Sequence, residues 1–117
     1  MTKLKYGYVC SRDVTRAVRF YSEALGIALK FQDGDRWAQF DLGGASFAIA
    51  SPPEFPEGES GSVLVFEVDD LGRAVAAVIS AGGSAVDQRD MGSHGTVATV
   101  RDPSGNLLQL YARAATQ

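Results

Sequence analysis

The chain has 117 residues, a formal net charge of −3 at pH 7, and 45% hydrophobic residues. This length suits one domain rather than two, and the composition is typical of a globular chain rather than a disordered one. The acidic balance argues against a nucleic-acid-binding surface. One cysteine and one histidine exclude a disulfide framework or a multi-cysteine zinc site within a single chain.

No stretch approaches the roughly 20 apolar residues of a membrane span, and the N-terminal "MTKLKYGYVCSRD" has no signal-peptide core. We therefore expect no membrane partner, no nucleic-acid partner and a cytoplasmic location.

In chain order, the pattern predicts a strand at "KYGYVCS", a helix from Asp13 to Gly26, and strands at "LKFQDG", "RWAQFDL" and "SFAIAS". The segment 51–62 holds three of the four prolines and reads as a linker. A strand at "SVLVFEV", a helix from Asp70 to Gly83, and strands at "AVDQR", "TVATVR" and "NLLQLYA" follow.

The two helical segments repeat each other at a constant offset of 57 residues (70 − 13). The identical pairs are Asp13/Asp70, Arg16/Arg73, Ala17/Ala74, Val18/Val75, Ala24/Ala81 and Gly26/Gly83. The repeat predicts an α+β fold of two tandem βαβββ modules within one domain, 1–117. Module 1 spans about 4–50 and module 2 about 63–113, and together they form a curled, half-open mixed sheet around a cavity, with the helices outside.

Strand alternation assigns side chains to two faces of this sheet. The helix-facing set is wholly apolar: Val9, Phe47, Ile49, Leu64, Phe66, Val68, Leu108 and Leu110. The opposite set mixes tyrosines, small residues and a few polar groups, which suits a ligand pocket, although a plain interface or a partly solvated sheet remains an alternative. Its members are Tyr6, Tyr8, Cys10, Ser46, Ala48, Ala50, Val63, Val65, Glu67, Leu107, Gln109 and Tyr111.

The stretches "RDVTRAVRFYSEALGI", "RWAQFDLGGASFAIA", "VLVFEVDDLGRAVAAVISAGG" and "RDPSGNLLQLYAR", in this order, resemble the vicinal oxygen chelate superfamily. That superfamily includes glyoxalases, bleomycin resistance proteins, extradiol dioxygenases and fosfomycin resistance enzymes. The resemblance covers about residues 4–113. It implies paired βαβββ modules around a central cavity, commonly completed in a homodimer.

The resemblance also implies where a divalent metal would bind, on the first and fourth strands of each module. The matching positions here are Tyr6, Ala48, Val63 and Gln109. None is a histidine or a carboxylate, so this chain departs from the metal-binding pattern, and we expect no metal and no other cofactor. Gln109 keeps the length of the family's glutamate without its charge, which avoids burying an unpaired carboxylate.

Other residues have alternative interpretations. His94 is either a general acid or base on a loop over the pocket or a solvated histidine. Cys10 is more readily a small buried residue than a nucleophile. Phe40 either stacks on a planar ligand or packs in the core, and core packing is the favoured interpretation. Glu67 either binds a ligand cation or meets water, and Trp37 either stacks on a ligand or packs. The acidic Asp33, Asp35, Glu57 and Glu59 weakly favour cationic ligands.

The resemblance and the residues together favour a homodimeric small-molecule-binding protein, like the bleomycin resistance group, that sequesters a planar or cationic compound without a metal. The predicted ligand-binding residues are Tyr6, Tyr8, Trp37, Ala48, Val63, Val65, Glu67, Gln109 and Tyr111. One alternative is a metal-independent lyase or isomerase using His94, Tyr6 or Glu67, and another is a non-catalytic interaction module. Metal-dependent glyoxalase or dioxygenase activity is not expected.

Overall fold

Two βαβββ units follow one another along the chain, as the repeat predicts. The computed structural model describes residues 5–54 and 63–115. Backbone contacts divide the chain into two compact units, Met1–Ser60 and Gly61–Gln117, which we call module 1 and module 2. Most of the predicted linker, residues 55–62, lies outside the described residues.

Module 1 contains one helix and a four-stranded mixed sheet. Its elements are β1 (Gly7–Cys10), α1 (Val14–Leu25), β2 (Ala28–Asp33), β3 (Trp37–Asp41) and β4 (Ser46–Ala50), followed by a short 3₁₀ turn at Pro52–Glu54. The strand order is β1-β4-β3-β2. Strands β1 and β4 are parallel, whereas β4, β3 and β2 pair antiparallel.

Module 2 repeats this topology. Its elements are β5 (Leu64–Glu67), α2 (Leu71–Ser80), β6 (Ser84–Asp90), a 3₁₀ turn at Gly92–His94, β7 (Thr96–Arg101) and β8 (Leu107–Ala112). The strand order is β5-β8-β7-β6, with β5 parallel to β8 and the other pairs antiparallel. The predicted α+β class and the two βαβββ modules are confirmed.

Aspartates begin both helices. The Asp13 carboxylate accepts a hydrogen bond from Arg16 N at 3.0 Å, and the Asp70 carboxylate accepts one from Arg73 N at 3.1 Å. Each bond satisfies a backbone donor that has no partner within the helix. Because the same capping hydrogen bond begins both helices, the start of each helix could be located from the sequence.

The helix ends differ between the modules. Helix α1 ends at Gly26, which is left-handed with φ 65°, as predicted. Helix α2 was predicted to end at Gly83, but its last residue is Ser80. Gly82, with φ 100°, makes the turn that follows the helix. Gly83 N then donates to Val78 O at 2.8 Å, which closes the helix end.

The helix-facing side of each sheet is the apolar core. In module 1, Tyr21 of α1 packs on Phe47 of β4 with ring centroids 4.7 Å apart, and Phe47 stacks on Phe40 at 5.9 Å. In module 2, Val78 of α2 and Leu108 and Leu110 of β8 are buried. The alternation that placed these sheet residues under the helices is therefore correct.

No helix in the two described ranges is long and apolar enough to cross a membrane.

Candidate functional site

The face of the module 2 sheet that points away from α2 carries the chemically mixed side chains. Strand pairing aligns Val65, Gln109, Thr99 and Asp87 in one row across all four strands. The next row runs from Glu67 through Tyr111 and Val97 to Arg89. Because side chains alternate along a strand, these two rows share one face.

A cavity of about 300 Å³ opens on this face. This volume is at the lower end of the range for small-molecule sites. Both apolar and polar side chains line it: Val65, Asp87, Arg89, Met91, Val97, Thr99, Gln109 and Tyr111. The cavity therefore combines the apolar surface and the few orienting polar groups that a small organic ligand requires.

Gln109 lies near the middle of the cavity wall. It is half-buried, and its Nε2 donates a hydrogen bond to Thr99 Oγ1 at 3.3 Å. The bond holds the amide against the neighbouring strand β7. An amide can both donate and accept, so Gln109 can orient a polar ligand without adding charge to a half-buried surface.

Tyr111 is positioned by the backbone opposite it. Gly95 has φ 91° and ψ −163°, a conformation that is essentially restricted to glycine. A Cβ at this residue would collide with Ala112 O and would lie 2.8 Å from Tyr111 Cε1. Glycine at this position therefore leaves the space that the Tyr111 ring occupies beside the cavity.

Module 1 presents aromatic rings on the corresponding face. The rings of Tyr6 and Trp37 are 5.4 Å apart, those of Tyr8 and Trp37 are 5.3 Å apart, and Tyr6 and Tyr8 are 6.1 Å apart. Trp37 Nε1 also donates to Gln39 Oε1 at 3.3 Å. We call Tyr6, Tyr8 and Trp37 the aromatic cluster. Its edge-to-face and tilted geometry is the favourable one for ring pairs.

Ala48 lies in the same row as Tyr8 of the aromatic cluster. Strand pairing places it between Tyr8 on β1 and Gln39 on β3, and it is completely buried. The equivalent row of module 2 has Gln109 between Val65 and Thr99. In module 1 the larger side chains thus flank a small central residue, whereas in module 2 smaller side chains flank a longer central one.

The four positions implied for a metal do not provide a suitable donor set. The side chains of Val63 and Ala48 have no donor atom, Gln109 offers one neutral oxygen, and the phenol oxygen of Tyr6 is a poor ligand for Zn²⁺ or Mg²⁺. Within residues 5–54 and 63–115, no group of three His, Cys, Asp or Glu side chains is arranged to hold a metal ion. The residues present do not fit a Zn²⁺ or Mg²⁺ site.

His94 and Glu67, two of the three residues considered for proton transfer, lie near lining residues but do not line the cavity themselves. His94 is exposed in the 3₁₀ turn, three residues after the lining residue Met91. Glu67 Oε2 forms an ion pair with Arg113 Nε at 3.1 Å, and both side chains are more than half exposed. Neither His94 nor Glu67 is among the described residues that line the cavity.

Cys10 is partly buried at the end of β1. Burial raises the pKa of its thiol, and the nearby positive charge of Arg12 offsets only part of this effect. A raised pKa keeps the thiol protonated near neutral pH, and the thiolate is the nucleophilic form. This environment is typical of a structural cysteine.

Of the acidic residues expected to attract cations, two have defined positions. Asp35 Oδ1 accepts a hydrogen bond from Val14 N at 3.0 Å, so this carboxylate helps begin α1. Asp33 is exposed at the end of β2. Glu57 and Glu59 lie outside the described residues.

The structure thus distributes the predicted ligand-binding residues between two sets. Val65, Gln109 and Tyr111 line the cavity, whereas Tyr6, Tyr8 and Trp37 form the aromatic cluster, with Ala48 in the row beside it. Val63 is exposed just before β5. Sequence reasoning missed the other five lining residues: Asp87, Arg89, Met91, Val97 and Thr99. The alternation in "TVATVR" was the available signal for Val97 and Thr99.

Comparison with known proteins agrees with this architecture. The family model described as the Glyoxalase/Bleomycin resistance protein/Dioxygenase superfamily matches residues 4–110. An uncharacterized protein of Mycolicibacterium smegmatis is 30% identical over 111 residues, covering 94% of this chain and 93% of that protein.

Two solved structures illustrate the shared fold. A glyoxalase/bleomycin resistance protein/dioxygenase family enzyme from Burkholderia phytofirmans superposes with a TM-score of 0.81 at 18% identity, covering 97% of this chain and 100% of that one. A mutant of a genomically encoded fosfomycin resistance protein from Listeria monocytogenes, complexed with Mn(II) and 1S,2S-dihydroxypropylphosphonic acid, superposes with a TM-score of 0.78 at 13% identity, covering 97% and 92%. At these identities the likeness establishes the fold alone.

Proposed function

Because this chain belongs to the glyoxalase/bleomycin resistance protein/dioxygenase superfamily, we propose that it binds and sequesters a small organic compound without a divalent metal. The observation that carries the proposal is the module 2 cavity of about 300 Å³. At its wall stands Gln109, a neutral amide at the position where the metal-dependent relatives are expected to place a ligand. The cavity offers a ligand hydrogen bonds and apolar contact, and no set of metal donors.

A planar compound is the ligand class that the cavity walls favour. Tyr111 provides an aromatic surface, and Val65, Val97 and Met91 provide flat or adaptable apolar contact. A cation gains attraction from the carboxylate of Asp87 and from the overall charge of −3. Sequestration, as in antibiotic resistance, requires affinity and no reactive group, which agrees with the exposed His94 and the ion-paired Glu67.

The aromatic cluster is a second part of the proposal. Trp37 is half-buried, so part of its indole is accessible beside Tyr6 and Tyr8. The exposed faces of such rings bind flat or cationic groups. We therefore retain Tyr6, Tyr8 and Trp37 as ligand-contacting residues, whereas Ala48, which is completely buried, only packs between its larger neighbours.

A homodimer in the cytoplasm belongs to the same proposal. Strands β2 and β6 end their sheets and carry exposed apolar side chains, among them Phe31 and Val86. Unpaired edges and exposed apolar surface favour association with a second copy. The single cysteine favours a reducing compartment, because small secreted chains usually carry several disulfides.

A thermal-shift screen tests this function. Protein dialysed against a chelator is heated with Zn²⁺, Ni²⁺, Mn²⁺ or Mg²⁺, and separately with a panel of planar and cationic natural products. A ligand present at 100 times its Kd stabilises the fold by about 2.7 kcal/mol, which is a readily measured shift. We expect stabilisation by an organic compound and none by the metals. Stabilisation by a divalent metal alone would show that the metal-free proposal is wrong.

A further inference from the structure

Two opposite charges lie on the same wall of the module 2 cavity. Asp87 and Arg89 both line it, and both belong to the edge strand β6. Asp87 pairs with Thr99 and Arg89 pairs with Val97 on β7, and those two residues also line the cavity. The pairing of β6 with β7 therefore also places Asp87 and Arg89 on the face of the sheet where the cavity opens.

Within the described ranges, neither charge is neutralised by an oppositely charged side chain. Neither Asp87 nor Arg89 forms an ion pair with another residue in the described ranges. The guanidinium has one weak partner, since Arg89 Nη2 donates to Met91 Sδ at 3.6 Å. Two residues along a strand span about 6.6 Å, so the charged groups are near enough to act on one small molecule.

This charge pair is a property of module 2 alone. Strand pairing gives Phe31 and Asp33 of β2 the corresponding places in module 1, opposite Gln39 and Trp37. Phe31 carries no charge, so these two places do not hold an oppositely charged pair. The repeated topology therefore does not require Asp87 and Arg89.

From this arrangement we infer that the cavity selects zwitterions, small molecules that carry both an ammonium group and an oxyanion. The inference rests on the proposed function and specifies its ligand class. The Asp87 carboxylate attracts the ammonium, and the planar guanidinium of Arg89 accommodates an oxyanion such as a carboxylate with two parallel hydrogen bonds. The apolar remainder of the ligand lies against Val97 and Tyr111, and Gln109 offers a further hydrogen bond.

A matched series of probes tests the inference. The zwitterion is L-phenylalanine, 2-phenylethylamine lacks the carboxylate, 3-phenylpropionate lacks the ammonium, and 2-phenylethanol lacks both charges. Each is titrated at millimolar concentration into ¹⁵N-labelled protein, and the Kd is obtained from the shifts of backbone amide signals. Exposed charge pairs contribute up to about 1 kcal/mol, equivalent to about fivefold in affinity. We expect L-phenylalanine to bind about fivefold more tightly than either singly charged probe, with the largest shifts in β6 and β8.

Two substitutions assign the charges individually. Asp87→Asn removes the attraction for the ammonium, so L-phenylalanine and 2-phenylethylamine weaken about fivefold and 3-phenylpropionate does not. Arg89→Gln removes the attraction for the carboxylate, so the binding of L-phenylalanine and 3-phenylpropionate weakens about fivefold and that of 2-phenylethylamine does not. Asp69→Asn and Arg73→Gln are matched controls, because they make the same charge changes at exposed positions of module 2 that do not line the cavity.

The outcomes separate this inference from the proposed function. Equal affinities for all four probes, or affinities unchanged in Asp87→Asn and Arg89→Gln, would show that the charges only protect the edge strand from pairing with other chains. The zwitterion inference would then be wrong while small-molecule binding stands. Failure of all four probes to shift any amide also contradicts the zwitterion inference, whereas the organic-compound screen decides the proposed function by itself.

Discussion

Gln109 places a neutral amide on the wall of the module 2 cavity. Its amide is half-buried, hydrogen-bonded to Thr99 and directed to the cavity. A carboxylate there would lose hydration without a metal to compensate, and its pKa would rise. The amide retains hydrogen bonding and removes the charge, so Gln109 can contact a polar group without leaving an unpaired charge half-buried.

Cys10 provides a prediction from its pKa. Because burial raises the pKa of the thiol, iodoacetamide should alkylate Cys10 in the folded protein more slowly than it alkylates glutathione at pH 8. The raised pKa also means that the folded state disfavours the thiolate. Its contribution to stability is therefore present at neutral pH and is lost as the pH rises through the raised pKa of the folded state.

The control for Cys10 is the same protein in urea, where the rate should approach that of glutathione. Mass spectrometry of the alkylated chain measures both rates. Faster alkylation of Cys10 in the folded protein than of glutathione would contradict the structural role and indicate an activated nucleophile.

Gly95 and Gly92 form a matched pair in one turn. Both have positive φ, but a Cβ at Gly92 has no atom within 4 Å, whereas a Cβ at Gly95 collides with Ala112 O and Tyr111. We expect Gly92→Ala to lower the free energy of unfolding by about 1 kcal/mol, from backbone strain alone. Gly95→Ala should lower it by about 3 kcal/mol, because the ring and the backbone must also move.

Urea denaturation of the two variants measures this difference. Binding of L-phenylalanine to Gly95→Ala gives a second reading, since a displaced Tyr111 changes the cavity wall. Equal losses of stability in the two variants would be inconsistent with the close approach at Gly95.

At the scale of elements, the parts that sequence could predict depend on neighbouring residues. A capping aspartate followed by apolar residues at helical spacing defined both helices, and alternation defined the faces of β4 and β8. Edge strands were different. Strand pairing shifts between Leu29 and Phe31 in β2 and between Ala85 and Asp87 in β6. A bulge reverses the alternation that follows it, so the facing of Asp87 and Arg89 could not be obtained by counting along the strand.

The aromatic cluster marks another limit of sequence reasoning. Tyr6 and Tyr8 were assigned to the face away from the helix, but the packing of Trp37 against both of them depends on the register of β3 against β4. That register brings Trp37 opposite Ala50, a residue with little volume. Long-range pairing of this kind leaves no periodic signal along the chain.

The two hairpins that precede β4 and β8 provide an element-scale prediction. The Asp102 carboxylate is buried and accepts hydrogen bonds from Ser104 N at 2.9 Å and from Asn106 N and Nδ2 at 2.9 and 2.8 Å. In the other hairpin the Asp41 carboxylate is exposed and accepts one bond, from Gly43 N at 3.1 Å. Asp102→Ala should therefore lower the free energy of unfolding by about 2 to 3 kcal/mol, and Asp41→Ala by less than about 1 kcal/mol.

Chemical denaturation compares the two hairpin variants directly. Because β8 carries Gln109 and Tyr111, the Asp102 variant should also weaken ligand binding. A smaller loss of stability for Asp102→Ala than for Asp41→Ala would mean that the buried turn is not what anchors β8.

For the whole molecule, the repeat gives two sheets of the same topology with different surfaces. One row of module 1 reads Tyr8, Ala48, Gln39, Phe31, and the equivalent row of module 2 reads Val65, Gln109, Thr99, Asp87. The first is rich in aromatic and apolar surface, and the second adds hydrogen-bonding and charged groups. Each module therefore has its own surface chemistry in spite of the shared topology.

Association is a prediction at this scale. The exposed apolar residues of the edge strands lead us to expect a homodimer. Size-exclusion chromatography with light scattering at micromolar concentration should give about twice the chain mass of 12.4 kDa. Phe31→Lys should shift the distribution toward the monomer, while Lys30→Phe, a reverse change at the adjacent exposed residue, should not. A monomer across the micromolar range would contradict the dimer.

The most direct test of metal-free binding is a calorimetric titration of the tightest compound from the thermal-shift screen. It is performed on chelator-dialysed wild type, on wild type with added Zn²⁺, and on Thr99→Phe, in which a larger side chain fills the cavity beside Gln109. We predict the same affinity with and without Zn²⁺, and its loss in a Thr99→Phe protein that circular dichroism shows to be folded. Binding that requires Zn²⁺, or that is unchanged in Thr99→Phe, would contradict a metal-free ligand site in the module 2 cavity.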